Sequence, residues 1–164
     1  MPKPTKTSPP EPATEGLVIE YGQGAKLPVK EDELRRFAAA ALAGLKAPEL
    51  TIRIVDAAEG QQLNRRWRGG DGPTNVLSFE PGLPAGVETP LLGDIVICAP
   101  VVEREAQEQG KTVRQHCAHM IIHGILHLRG FDHISAEQAH EMEAEETRLL
   151  KTLGFDNPYM IDDD

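Results

Sequence analysis

The sequence predicts a single α+β (mixed α/β) domain, with a roughly four-stranded mixed sheet packed against helices. Stretches typical of strands are interleaved with stretches typical of helices, and two of the strands lie close enough in sequence for a hairpin-like pair. The length of 164 residues and the hydrophobic content of 40% suit one domain with a sizeable core. There is no internal repeat and no boundary to a second domain.

The N-terminus differs in composition from the rest of the chain. Residues 1–15 contain five prolines and almost no apolar side chain, so we expect a disordered proline-rich tail there. Residues 16–160 are expected to form the single domain.

The first half of this domain alternates strands and helices. Residues 17–21 form a short strand of apolar and polar side chains. Over residues 31–46 apolar side chains recur at helical spacing, and Pro48 blocks continuation of that helix. Residues 49–55 alternate apolar and polar side chains, which predicts a strand with one buried face. Residues 57–67 follow as a second helix.

Two further strands are expected in the middle of the chain. Residues 75–79 follow a turn, and residues 91–98 are largely apolar but are interrupted by Asp94. A carboxylate inside such a strand needs a hydrogen-bonding or charged partner, or it has a functional role. A buried, hydrogen-bonded structural role and a functional role both remain open for it.

Three helices complete the domain. The first two cover residues 100–109 and 112–129. The last begins after Ser135, which is an N-cap with Gln138 three residues on as its capping-box partner, and Gly154 stops it.

The most distinctive stretch is His-Gly-Ile-Leu-His-Leu-Arg-Gly-Phe-Asp-His at residues 123–133. His123 and His127 are four apart on a predicted helix, so both can point at one ion. Gly130 can end that helix in a left-handed turn, which would bring His133 toward the same point. Three neutral imidazoles with one open position are typical of catalytic zinc, although nickel also suits imidazoles. We therefore predict one zinc ion per chain, on a central helix of the fold.

Other histidines and a glycine qualify this prediction. His116 and His119 share the helical stripe of His123, so His119 and His123 could form the pair instead. Only the pair of His123 and His127 has a helix stop placed to deliver a third ligand, so we assign the other two to supporting roles. The spacing also matches metzincin proteases, but Gly124 stands where those enzymes carry their glutamate base.

The charge distribution bears on possible partners. The formal net charge is −9, which argues against general nucleic-acid binding, and no DNA partner is expected. Nearly all of the excess lies in residues 131–164. A local cationic patch remains possible because three arginines cluster elsewhere, at Arg65, Arg66 and Arg68.

Membrane and redox signals indicate a cytoplasmic protein. The chain has no apolar run long enough for a membrane span and no signal-peptide pattern, so no membrane partner is expected. Cys98 and Cys117 form no CxxC motif and are best explained as buried thiols in a reducing compartment.

Several blocks together resemble the YbeY family, the bacterial endoribonucleases of rRNA maturation. The resemblance covers most of residues 17–160. Its most specific part is the histidine motif, and the supporting blocks are Leu63-Asn64 with Trp67-Arg68, Asp71-Gly72-Pro73-Thr74-Asn75-Val76-Leu77-Ser78-Phe79, Leu92-Gly93-Asp94-Ile95-Val96-Ile97, and Leu153-Gly154-Phe155 with Asn157-Pro158-Tyr159.

The resemblance implies a zinc-dependent, single-strand-specific endoribonuclease. It would mature the 3′ end of small-subunit rRNA and take part in ribosome quality control, with single-stranded RNA (rRNA) and the small ribosomal subunit as partners. On this chain it implies His123, His127 and His133 as metal ligands and Arg68 as the functional arginine.

The chemistry of RNA cleavage suggests roles for the remaining candidates. Negative charge builds on the phosphate oxygens, and the Arg68 guanidinium suits that group bidentately, with Arg65 and Arg66 as RNA-binding anchors. Asp132 is a second candidate catalytic residue, either as general base or, our first choice, as a group that orients the third ligand. Trp67 could stack on a base, but a core position is the simpler expectation.

Other functions fit parts of the pattern. A non-catalytic, metal-containing ribosome-assembly factor would need the same three histidines. A metallopeptidase-like hydrolase is weakened by the glycine at the base position. A metallohydrolase of small phosphate esters is a third alternative.

Overall fold

The computed structural model describes residues 14–70, 72, 74–84 and 89–159. Most of the predicted N-terminal tail (residues 1–13) and the last residue of the predicted domain (residue 160) lie outside this part of the chain. Within it, five helices and four strands form the predicted α+β fold. In chain order they are β1 (Gly16–Tyr21), α1 (Glu31–Leu42), β2 (Glu49–Val55), α2 (Ala57–Arg68), β3 (Val76–Phe79), β4 (Leu91–Cys98), α3 (Ala99–Glu108), α4 (Val113–Leu128) and α5 (Ala136–Thr152).

The sheet is mixed, with the strand order β1-β2-β4-β3. The pairs β1–β2 and β2–β4 are parallel, and helices make the crossovers that parallel pairs require. Strand β3 pairs antiparallel with β4 at one edge, which confirms the hairpin-like pair. Strand β3 contacts helix α4, which carries the first two histidines of the motif, and it also contacts Arg68 at the end of α2.

Alternation along the strands creates two apolar layers. On one face Ile52, Ile54, Ile95 and Ile97 are fully buried against α1, α4 and α5. On the other face a smaller cluster lies under α2 and α3 and includes Val96. Each buried Ile or Leu side chain contributes about 1.5–3 kcal/mol, so the first face supplies most of the apolar stabilisation.

Helix α4 is the central helix of the domain. It contacts α1, α3, α5, β3 and β4, and ten of its residues are buried. Within the described ranges, no helix combines the length and apolarity required to span a bilayer.

Helix α1 ends four residues earlier than the periodicity predicted. Ala43 leaves the helical region with ψ of 139°, and Gly44 follows with φ of +88°, so that a turn closed by the Leu45 N–H and the Leu42 carbonyl at 3.1 Å ends the helix before Pro48 is reached. The apolar Leu45 still packs against the core from the turn, which is why the pattern appeared to continue. A buried residue beyond a helix end produces the same periodicity as the helix itself.

Strand β4 contains a bulge that redirects its side chains. Leu91 pairs with Glu49, but Gly93 pairs with Leu50, so one residue is extra. Gly93 has φ of +142°, and a Cβ there would overlap the Phe79 carbonyl oxygen. The bulge thus needs glycine, and it directs Asp94 to the exposed face of the sheet.

Candidate active site

The turn after α4 has the predicted left-handed glycine. Gly130 has φ of +103°. Its N–H donates to the His127 carbonyl and the Phe131 N–H donates to the Leu126 carbonyl, both at 3.0 Å. This pair of bonds is the Schellman arrangement, which ends the helix and reverses the chain.

The reversal brings the third histidine of the motif back to the helix. The rings of His123 and His133 have centroids 5.8 Å apart. His127 lies one turn further along α4 and is half-buried, and neither its side chain nor that of His133 hydrogen-bonds to another described residue. Among the described residues, no three His, Cys, Asp or Glu side chains converge closely enough to hold an ion as they stand. Ligation by all three histidines therefore stays a prediction.

A buried carboxylate on α5 fixes the first of these histidines. Glu146 has no exposed surface. Its Oε2 lies 2.6 Å from His123 Nδ1, and its Oε1 lies 2.9 Å from His119 Nε2 and also accepts from the Tyr159 hydroxyl. Since an ionised carboxylate only accepts, His123 carries its proton on Nδ1, which leaves Nε2 unprotonated.

The ionised state of Glu146 is strongly favoured. Burial alone raises the pKa of this carboxyl group, but the hydrogen bonds from His119, His123 and Tyr159 outweigh burial and hold the pKa at about 2. The pKa of Tyr159 is raised by burial and by this carboxylate, so its hydroxyl stays a donor.

This donor set suits a zinc ion. A histidine ligand in metalloproteins typically gives its second N–H to a carboxylate, which orients the ring and makes the ligating nitrogen more basic. His123 already has that arrangement through Glu146, and the side chains of His127 and His133 make no hydrogen bond to another described residue that would compete with an ion. Three imidazoles match the ligand count of a catalytic zinc site.

Sequence reasoning missed Glu146 and Tyr159. A signal for Glu146 was present, because it shares the apolar face of α5 with Met142 and Leu150, and a carboxylate at such a position requires a partner. Nothing in the sequence alone indicated that the partner would be a histidine on α4.

The two other helical histidines occupy supporting positions. His116 Nε2 lies 2.8 Å from Glu105 Oε1, and His119 Nε2 lies 2.9 Å from Glu146 Oε1. The Nδ1 atoms of both rings are buried without a partner among the described residues, so each ring is best satisfied with its proton on Nε2. Burial lowers the pKa of His116 more than the hydrogen bond to Glu105 raises it.

Asp132 braces the backbone of the turn. Its Oδ1 accepts from the His133 N–H at 2.7 Å. This contact orients the main chain of His133 and not its ring, and the orienting or structural role that we placed first for Asp132 stays a prediction.

Gly124 lies where α4 presses against the sheet. A Cβ there would be 3.0 Å from Ile95 Cδ1 and 3.2 Å from Ser78 Oγ. The position faces the core, so a glutamate could not serve there as the base of a metallopeptidase.

Arg68 reaches the edge strand that lies against α4. Its Nη2 donates to the Ser78 carbonyl, and its guanidinium lies 5.2 Å from the centroid of the Phe79 ring. The Ser78 hydroxyl in turn lies 3.3 Å from the Gly124 carbonyl, next to His123 in the chain. Arg68 is thus joined through one residue of β3 to the centre of the histidine helix.

Arg65 and Arg66 line a depression formed by residues of α2, and Arg68 is not among its lining residues. Arg66 also lies over the Trp67 ring, 5.2 Å from its centroid. The role of Arg65 and Arg66 in RNA binding stays a prediction.

A cleft of about 630 Å³ opens on the face of the sheet opposite α4. Its floor and walls include Thr51, Asp94, Val96, Leu63, Trp67 and Arg68. The expectation of a core tryptophan is wrong, since Trp67 is 58% exposed. Of the two roles left open for Asp94, that of a buried structural carboxylate is excluded, because the bulge turns the side chain outward.

Comparisons with known proteins agree with this architecture. The profile of the family described as Endoribonuclease YbeY matches residues 23–154, which include α4 and the turn after it. The solution structure of TM1509 from Thermotoga maritima is similar to this chain, with a TM-score of 0.55 and 25% sequence identity. The alignment covers 90% of this chain and 97% of that chain. The family match supports an endoribonuclease role in rRNA maturation, with RNA as substrate. Since it spans most of the sequence, this chain belongs to the YbeY endoribonuclease family.

Proposed function

We propose that this protein is a zinc-dependent, single-strand-specific endoribonuclease that matures the 3′ end of small-subunit rRNA. In this proposal it acts in the cytoplasm on the small ribosomal subunit and takes part in ribosome quality control. Membership of the family supports an endoribonuclease role in rRNA maturation. The side chains around α4 support the dependence on zinc.

The observation that carries the proposal is the orientation of His123 by Glu146. A buried carboxylate at 2.6 Å from Nδ1 leaves Nε2 as the only ligating atom of the ring, beside the ring of His133. His123, His127 and His133 would hold the ion. When bound, zinc supplies positive charge beside the scissile phosphate and lowers the pKa of a coordinated water to about 7.

Arg68 is the proposed contact to the scissile phosphate. Its guanidinium is exposed at the edge strand, with one nitrogen already held by the Ser78 carbonyl. The remaining N–H donors can form charge-assisted bonds to phosphate oxygens as negative charge builds on them. Arg65 and Arg66 would bind the RNA backbone further along α2.

Asp132 acts in this proposal by holding the turn. With its carboxylate engaged by the His133 N–H, it keeps the third ligand near α4. It is a positioning residue in this arrangement, and proton transfer from the nucleophile would fall to another group.

The test compares the wild type with His127→Ala and with His140→Ala. His140 is an exposed histidine on α5 and serves as the matched control. All three proteins are purified identically, and their zinc and nickel content, folding and cleavage of a single-stranded rRNA precursor fragment are measured.

We expect one zinc per chain and cleavage in the wild type and the control. His127→Ala should lose both the metal and the activity while staying folded. Equal cleavage by His127→Ala would show that contamination causes the activity, and the non-catalytic assembly factor would then be the better account. Cleavage of a peptide or a small phosphate ester in place of RNA would contradict the proposal directly.

Arg68→Lys separates chemistry from binding. It keeps the charge but not the bidentate fork, so we expect a lower kcat with little change in folding. Arg65→Lys should leave kcat close to that of the wild type. Equal kcat values for both variants would remove Arg68 from the proposed site.

A further inference from the structure

The cleft on the second face of the sheet has a chemistry of its own. Its floor is built from β2 and β4, where Thr51 pairs with Asp94 in the sheet register. Helix α2 contributes Trp67 and Arg68 to one wall, and Glu80 follows β3 on another. Its volume of about 630 Å³ lies within the range of small-ligand sites.

The charges in the cleft divide into paired and unpaired groups. Arg53 is bound by Glu59 at 2.7 Å and by Glu20 at 3.3 Å, so these three side chains satisfy one another. Asp94 and Glu80 are exposed, and neither side chain has a hydrogen bond or ion pair with another described residue. The cleft therefore offers carboxylate acceptors for N–H donors, and beside them lies the Arg68 guanidinium, which has no carboxylate partner among the described residues.

Trp67 provides an apolar surface beside these acceptors. It is 58% exposed, which leaves a large aromatic ring in contact with solvent. The Arg66 guanidinium lies over the same ring, 5.2 Å from its centroid. Stacking of a nucleobase on such a ring contributes about 1–3 kcal/mol.

We propose that this cleft binds one unpaired nucleobase of an RNA strand and prefers guanine. The base stacks on Trp67, and its Watson–Crick edge meets Asp94, with Glu80 near by. Guanine presents two adjacent donors, N1–H and the N2 amino group, to which a carboxylate can bind bidentately. Uracil presents a single N–H between two carbonyl oxygens, which the same carboxylate repels.

The position of Arg68 connects this subsite to the histidine helix. Strand β3 is the edge of the sheet, and Arg68 lies across it, bound to the Ser78 carbonyl. An RNA strand passing over this edge would place a phosphate at Arg68 and a neighbouring base in the cleft. The identity of the ligand as RNA rests on the proposed function, whereas the preference for guanine rests on the cleft alone.

Fluorescence tests the proposal directly, because Trp67 is the only tryptophan in the sequence. The probes are the 2′-O-methyl pentanucleotides UUGUU and UUUUU, titrated into the full-length protein. We expect UUGUU to quench Trp67 with an affinity about tenfold higher than that of UUUUU, a difference of about 1.4 kcal/mol. Equal affinities, or no quenching by either probe, would overturn the proposal.

Two carboxylate variants and a control complete the test. Asp94→Asn should reduce the preference for UUGUU to less than about threefold, and Glu80→Gln provides a second exposed variant if Asp94→Asn does not fold. The control Glu103→Gln changes an exposed carboxylate on α3 and should keep the full preference. A preference that survives in both cleft variants would refute the role of the carboxylates.

Cleavage of an rRNA fragment is measured on the same preparations. Cleavage without a guanine preference would refute the subsite and leave the endoribonuclease proposal standing. A guanine preference without cleavage would refute the endoribonuclease proposal and leave the subsite standing.

Discussion

Replacing Glu146 with glutamine tests the arrangement on which the metal site depends. The substitution keeps the size of the side chain but exchanges one carboxylate oxygen for an NH₂ group. That group cannot accept a hydrogen bond. If it faces His123, the ring must move its proton to Nε2 and give up the ligating tautomer. If the amide rotates, the bond to His119 is lost instead.

These contacts set the size of the expected losses in zinc affinity and in the free energy of unfolding. Loss of the carboxylate that orients a histidine ligand lowers metal affinity roughly 10- to 100-fold, which is about 1.4–2.8 kcal/mol. Without metal, the loss of one charge-assisted hydrogen bond at a fully buried site should lower the free energy of unfolding by about 1.5–3 kcal/mol.

Two assays measure these effects separately. Competition with a zinc chelator gives the affinity, and urea unfolding of metal-free protein gives the stability. The control is Glu145→Gln, the adjacent residue on α5, whose carboxylate pairs with Arg148 at the surface. An exposed pair of this kind contributes about 0–1 kcal/mol, so both measurements should stay close to those of the wild type.

If Glu146→Gln binds zinc as tightly as the wild type, orientation of His123 does not govern the site. Loss of stability with unchanged zinc affinity would leave Glu146 as a structural carboxylate only.

Three further predictions concern the fold. Gly93→Ala should lower the free energy of unfolding by about 2–4 kcal/mol in urea, since a Cβ is both strained and in contact with the Phe79 carbonyl, whereas Gly24→Ala, which has a left-handed φ but open space, should cost less. Equal costs would show that the contact is unimportant. Burial lowers the pKa of His116 below its ordinary 6.5. The contribution of the uncharged ring to the stability of the fold is therefore complete above about pH 6.5, and it is lost as the pH falls from 6.5 through the lowered pKa of the folded protein. Stability measured from pH 7.5 to 5 should therefore fall less steeply in His116→Gln, and parallel curves would contradict this. Burial raises the pKa of the Cys117 thiol to about 12 and also raises that of Cys98, so neither should react with a thiol reagent at pH 8 until the protein is unfolded. Rapid reaction of the native protein would show that the core around them opens.

Local signals along the chain predicted most of the architecture. Apolar periodicity located the strands and helices, and the capping box of Ser135 and Gln138 marked the start of α5. The glycine after the second histidine predicted the left-handed turn at Gly130, because its cause is local backbone geometry. The end of α1 was wrong because Leu45 continues the apolar pattern beyond the helix itself.

Residue types and their spacing along the chain showed which groups could carry chemistry: three histidines at ligand spacing, a cluster of arginines, and a glycine in place of a base. What these groups contact depends on how the helices and strands pack in three dimensions. The pairing of Glu146 with His123 and the contact of Arg68 with Ser78 depend on residues that packing brings together, from α5 and α4 in the first case and from α2 and β3 in the second. Such contacts leave no local periodicity, since helix and strand patterns record which face of an element is buried and not which element covers it. The exposure of Asp94 has the same origin, because the bulge at Gly93 decides which face of the sheet it joins.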